Sequence, residues 1–115
     1  MSNFIEKKCK PRLSGDKPLS INEVNSMLKQ INKWETNDQG TVLYHVFRFK
    51  NYYETIAFVN ALAWIAHQED HHPDIEVSYN QCLVNFSTHS IGGLSENDFI
   101  CAAKIDQLVP QQYKD

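Results

Sequence analysis

Between Ile75 and Phe86 the apolar residues change phase, and this change constrains the fold more than any other feature of the chain. Ile75, Val77 and Tyr79 occupy odd positions, whereas Cys82, Val84 and Phe86 occupy even ones. Side chains alternate between the faces of a strand, so one flat strand would send half of this apolar set into solvent. A two-residue turn at Asn80-Gln81 removes the conflict by pairing Tyr79 with Cys82, Val77 with Val84 and Ile75 with Phe86. The segment therefore reads as a β-hairpin with one buried face.

A second hairpin is predicted upstream. The turn signal Asn37-Asp38-Gln39-Gly40 separates Trp34 to Thr36 from the β-rich run Thr41 to Lys50. Helices fill the rest. Ser20 followed by Glu23 is a capping-box pattern, stapled by Leu19 and Val24, and opens a helix expected from Ile21 to Lys33 with Val24, Met27, Leu28 and Ile31 on one face. Asn51, with Glu54 at its third position, caps a second helix whose expected buried stripe is Ile56, Val59, Leu62, Ala63 and Ala66. That helix should reach about Asp70, because Pro73 biases His72 away from helical angles. Gly92-Gly93 then breaks the chain, and Ser95 with Asp98 opens a third helix, stapled by Leu94 and Phe99 and ending near Leu108 before Pro110. Strands that pair through hairpins and do not alternate strictly with helices favour an α+β fold: an antiparallel sheet with helices on one face.

Composition narrows the function classes. A chain of 115 residues has the length of one domain. Residues 1–18 hold Lys7, Lys8, Lys10, Arg12 and Lys17 with two prolines and little periodicity, so they read as a loosely held arm without assigned chemistry, ahead of a domain over 19–115. The net charge of −3 and the scattered basic residues give no stripe for a phosphate backbone, so nucleic acid is not expected as a direct ligand. Cys9, Cys82 and Cys101 form no CxxC pair and no signal peptide is read, so reduced thiols in a cytoplasmic protein are expected, with Cys82 and Cys101 in the core. No apolar run approaches the ~20 residues of a membrane helix.

Four of the five histidines, His67, His71, His72 and His89, lie in one short stretch. Extending the predicted hairpin register outward places His72 opposite His89, while His67 and His71 share a helical face leading into the same region. Imidazole titrates near neutral pH, so one ring can accept a proton while its neighbour donates one. Each has a plainer reading: His67 closes a helix where a cation is favourable anyway, and His45 sits on a strand as a structural or solvent-facing residue. Asp98 reads equally as a helix cap and as a carboxylate that receives a histidine N–H. Asp70 reads as a solvated turn residue before an acid/base partner. Trp34 and Tyr79 offer flat faces to a ligand, although core packing is the favoured role for Tyr79.

The succession His67, His71-His72-Pro73, Tyr79, His89, Asp98, with the strings Glu69-Asp70-His71-His72-Pro73, Ser87-Thr88-His89 and Gly93-Leu94-Ser95-Glu96-Asn97-Asp98, resembles the signature of pterin-4a-carbinolamine dehydratases. The resemblance extends from about Leu19 to Leu108 and includes Trp34 and Phe47-Arg48-Phe49-Lys50. It implies an antiparallel four-stranded sheet with three helices on one face, assembled into a homodimer or homotetramer. It also implies dehydration of 4a-hydroxytetrahydropterin to quinonoid dihydropterin, linked to an aromatic amino acid hydroxylase, with the pterin as substrate and no cofactor. His71, His72 and His89 match the family's active-site histidines and Asp98 its associated carboxylate; beside these, Asp70 is a candidate second supporting carboxylate and His67, Trp34 and Thr88 are candidate substrate contacts. On this reading His71 and His89 share the acid and base roles, His72 orients the ring and Asp98 orients His89. His67 stands where members often carry an acid, and Asn97 where some carry an arginine.

Two rivals remain at this level. His67, His71 and His89 could form a zinc site, but His67-Gln68-Glu69-Asp70-His71 puts Gln68 where HExxH enzymes carry their general-base glutamate. The resemblance also admits a non-enzymatic role, since members act as partners of transcription factors and some relatives as assembly factors; such a role would not need the histidine set.

Overall fold

The computed structural model describes residues 4–109. Pro110, the expected stop of the last helix, lies outside the described residues. Four strands, β1 (Glu35–Thr36), β2 (Leu43–Arg48), β3 (Asp74–Val77) and β4 (Gln81–Phe86), form one sheet in the order β1-β2-β4-β3, and every neighbouring pair is antiparallel. Three helices accompany them: α1 (Ile21–Leu28), α2 (Tyr52–Glu69) and α3 (Glu96–Asp106).

The expected α+β class holds, and strand alternation explains why the helices share one face. Leu43, His45 and Phe47 on β2 stand opposite Phe86, Val84 and Cys82 on β4, and all but His45 are fully buried. The intervening residues, Tyr44, Val46 and Arg48 opposite Asn85, Leu83 and Gln81, form the outer face. Phe47 packs on Phe58 of α2 with ring centroids 4.6 Å apart. Burying a side chain of this size is worth roughly 1.5–3 kcal/mol. Helix α3 is buried on nearly every side, from Asn97 to Ala103 and again at Ile105 and Asp106.

All three predicted caps form. Ser20 and Glu23 close a full capping box, Asn51 accepts from the Glu54 amide, and Ser95 and Asp98 close a second box. The first hairpin turn is organised by Asn37, whose Oδ1 accepts from the amides of Thr41 (2.8 Å) and Val42 (3.1 Å). Gly40 closes it at φ 69°, where a Cβ would lie 2.7 Å from Ile21 Cδ1, so the turn packs tightly on α1.

Several expectations are corrected. Helix α1 stops at Leu28 rather than Lys33: i→i+3 bonds from Gln30 to Met27 and from Ile31 to Leu28 tighten the chain, and Lys33 turns left-handed at φ 68°. Trp34 then enters the core and donates its indole N–H to Asp106 at 3.0 Å. The β3–β4 register is two residues off the predicted one: Val77 faces Cys82 and Ile75 faces Val84, and the amide of Ser78 bonds Gln81 O across a turn centred on Tyr79-Asn80. A shift of two preserves the faces, so periodicity could not detect it. It leaves Tyr79 64% exposed instead of in the core.

The buried stripe of α2 is Thr55, Phe58, Leu62, Ala66 and Glu69, and the predicted Ala63 is exposed. This helix is apolar on most sides, so its docking face is chosen by Phe58 and by polar anchors such as Thr55, whose hydroxyl donates to Asn51 O and Tyr79 O, both at 2.9 Å. The described part of the N-terminal arm makes contacts with the domain. Phe4 is buried against Phe99, with centroids 6.0 Å apart.

Candidate active site

The site forms where α2 ends, β4 ends and α3 begins. Asp70 caps α2 in the left-handed conformation (φ 51°, ψ 43°), its amide bonding Ala66 O and His67 O. Aspartate tolerates this region better than most residues. The reversal carries His71 off the helix, and its ring stacks on Phe86 with centroids 5.8 Å apart and planes 7° from parallel.

Asp98, fully buried, divides its two oxygens between two tasks. Oδ2 receives the Ser95 amide at 3.0 Å, as a capping residue must, and the Thr88 hydroxyl at 2.8 Å. Oδ1 lies 2.6 Å from His71 Nε2. Both sequence readings of Asp98 therefore hold, but its partner is His71 and not His89. A carboxylate oxygen accepts, so Nε2 is the ring nitrogen that donates across this contact.

His89 is held differently. It opens a 3₁₀ turn (His89–Ile91) between Thr88 and Gly93, which bridge one another. Its side chain is 72% exposed, and Nε2 is 3.9 Å from Asp74 Oδ2, itself exposed. The strands have parted before this point, so the predicted ladder pairing of His72 with His89 does not occur. The two residues nevertheless line one cavity of about 370 Å³ together with His71, Thr88 and Asp70. That volume is within the usual range for small-molecule sites.

Two proposed contacts fall elsewhere. His67 is exposed on α2 beside Trp64, with ring centroids 5.5 Å apart, and is not part of the cavity wall. Its side chain follows the helix surface, whereas the chain reversal at Asp70 takes His71 inward. Trp34 is spent in the core, as described above, and His45 packs between Trp34 (5.5 Å) and Phe47 (4.6 Å) as a structural residue. Among the described residues no three His, Cys, Asp or Glu side chains are grouped so as to hold a metal ion.

Other wall residues were given no role in the sequence reading, although Asn97 was noted as a departure from the family pattern. Glu69, Asn97 and the arm residues Cys9 to Arg12 all line the cavity. Glu69 accepts from the Cys9 amide at 2.8 Å and from Lys104 Nζ at 2.6 Å. Burial alone would push its carboxyl up, but the Cys9 amide and the Lys104 ammonium outweigh that and hold it below the ordinary value. The adjoining Glu69-Asp70 string was a signal for it; the arm, without periodicity, gave none. Cys9 and Cys101 have their sulfurs 3.6 Å apart, and this contact with burial pushes the Cys101 thiol up. Burial pushes Cys82 up to about 11. Both core thiols thus stay protonated near neutral pH, as unreactive cysteines do.

Fold and cavity together define a small α+β protein in which a carboxylate-bonded histidine lines a ligand-sized cavity with two others. The chain belongs to the pterin 4 alpha carbinolamine dehydratase family, whose profile matches residues 17–108. A protein of Nitrosomonas eutropha with the provisional name pterin-4-alpha-carbinolamine dehydratase is 56% identical over 108 residues, covering 93% of this chain and 94% of its own. A Nitrosospira multiformis protein of the same provisional name is 58% identical over 108 residues, covering 94% of each. Among solved structures, a transcriptional coactivator/pterin dehydratase from Brucella melitensis superposes with a TM-score of 0.77 at 29% identity, covering 82% of this chain and all of that one. No described helix is long and apolar enough to cross a membrane.

Proposed function

We propose that this protein dehydrates 4a-hydroxytetrahydropterin to quinonoid dihydropterin by histidine general acid–base catalysis. Family membership supports the reaction class. The single observation that carries the catalytic assignment is the convergence of His71, His72 and His89 on one cavity, with His71 bonded to the buried Asp98.

The reaction breaks the C4a–O bond and removes the N5 proton, with no change of oxidation state. His71 takes that proton on Nδ1, and the N5 electron pair forms the N5=C4a double bond. Asp98 stands against the positive charge that arises on the imidazole. His89, as imidazolium, protonates the departing hydroxyl so that water leaves, and solvent returns the proton from one ring to the other. His72 and Thr88 orient the ring, and Asp70 supports the histidines from the helix end. Each proton transfer of this kind is worth roughly 10²–10⁴-fold. Stopped-flow decay of a 4a-carbinolamine tests the reading: catalysed decay that ignores EDTA is expected, and decay at the spontaneous rate refutes it.

The exposed aromatics of α2, Tyr52, Tyr53 and Trp64, support assembly into a homodimer or homotetramer, which sedimentation would reveal as a mass above one chain. The name of the Brucella melitensis structure favours one second reading, a partner-binding role beside catalysis. Partner capture by a variant that has lost activity would separate the two.

A further inference from the structure

One wall of the histidine cavity comes from the N-terminal arm, a segment that lies ahead of the family match beginning at residue 17. Asn97 clamps this segment: the Lys10 amide donates to its Oδ1 at 3.0 Å and its Nδ2 donates to Lys10 O at 2.7 Å. Ser90, beside His89, donates its hydroxyl to Arg12 O at 2.8 Å. The arm's backbone is thus tied at Lys10 to the start of α3 and at Arg12 to the turn that carries His89.

The guanidinium is less fully satisfied than the backbone. Its Nη2 donates to Asn97 Oδ1 at 3.2 Å, an oxygen already taken by the Lys10 amide, while Nε is enclosed and has no hydrogen-bond partner among the described residues. A guanidinium is permanently charged and offers five N–H donors with no acceptor. Nε is out of a ligand's reach, so the guanidinium can meet an acceptor in the cavity only through its terminal nitrogens, of which Nη2 shares an oxygen that the Lys10 amide already holds. Arg12, His71 and His72 share the wall of one cavity, so an acceptor on a ligand held by the histidines has the guanidinium in the same wall.

We propose that Arg12 is a substrate-binding residue that donates to the C4 carbonyl oxygen of the pterin and selects 4-oxo over 4-amino pteridines. This rests on the dehydratase reading above. Carbon C4 is bonded to the reacting C4a, so its oxygen is the ring acceptor nearest the histidines. A 4-amino group presents N–H donors at that place, which a guanidinium cannot accept. Arg12 does not transfer a proton, so its loss acts on binding and selectivity rather than on the chemical step.

The test compares the wild type with Arg12→Ala, Arg12→Lys and, as a control for lost positive charge, Lys17→Ala. Carbinolamine decay gives KM and kcat, and inhibition by 7,8-dihydropterin and by a 2,4-diaminopteridine gives selectivity. Arg12→Ala should raise KM roughly 10- to 100-fold, the worth of one or two charge-assisted hydrogen bonds. It should also leave kcat nearly unchanged and abolish the preference for the 4-oxo compound. Arg12→Lys should recover part of the KM but little of the selectivity, and Lys17→Ala should match the wild type. A wild type that accelerates decay while Arg12→Ala keeps its KM and its preference overturns the role of Arg12 and leaves the dehydratase reading standing. A wild type that does not accelerate decay overturns the dehydratase reading first, and this proposal with it.

Discussion

His71 and His89 line the same cavity, yet the molecule holds them in opposite ways. His71 is 12% exposed, stacked on Phe86 and bonded to a carboxylate with no exposure at all. His89 is 72% exposed on a 3₁₀ turn, with only a distant, solvated carboxylate for company. On the first side the fold dictates which nitrogen carries the proton. On the second, no buried partner fixes the ring. The proposed dehydration takes a proton at one place and delivers one at another, and on that proposal it would use both kinds of histidine: one held by a buried carboxylate, one open to water.

The contrast can be broken from either side. Asp98→Asn has the largest expected effect. An amide that turns its NH₂ toward His71 forces Nε2 to accept, moves the ring proton to Nδ1 and removes the base, so carbinolamine decay should slow about 10²–10⁴-fold. A loss of less than about tenfold would mean that tautomer control at His71 is unimportant.

Glu69→Gln should act next, chiefly on stability. It removes the ion pair with Lys104 and weakens the tie to Cys9, for a loss of about 1–3 kcal/mol in urea unfolding. The sign of its pH dependence follows from the lowered carboxyl: the stabilisation is complete above the ordinary value of 4.5 and is lost as pH falls through the lower folded value. Wild type and variant should therefore converge in acid, and a gap that widens in acid would contradict the assignment. The smallest effect belongs to the His89 side. Asp74→Asn removes an exposed partner at 3.9 Å and should change stability by less than about 0.5 kcal/mol and activity by less than about twofold.

How much of this was legible in the sequence depended on how local the determinant was. The caps at Ser20, Asn51 and Ser95 were readable because a side chain bonding an amide two or three residues on is a local event. The faces of β3 and β4 were readable from alternation, but their register was not, since a two-residue shift keeps every face and only the turn at Tyr79-Asn80 distinguishes it. The cluster of His71, His72 and His89 was anticipated, although through a ladder pairing that does not exist; the cavity gathers them instead at the end of α2 and the turn after β4. That Asp98 serves His71 depends on the left-handed Asp70 and on α3 packing deep in the core, both set by tertiary structure. The arm was missed for the same reason: its anchors, Glu69 and Asn97, lie far away in sequence.

The proposal that a buried and an exposed imidazole work as a pair is tested most directly by the decay rate of a 4a-carbinolamine with His71→Ala, His89→Ala and the double variant. Each single change should cost about 10²–10⁴-fold, and the double little more than the worse single, as expected of groups acting as a unit. Rates near that of the wild type in both single variants would contradict it.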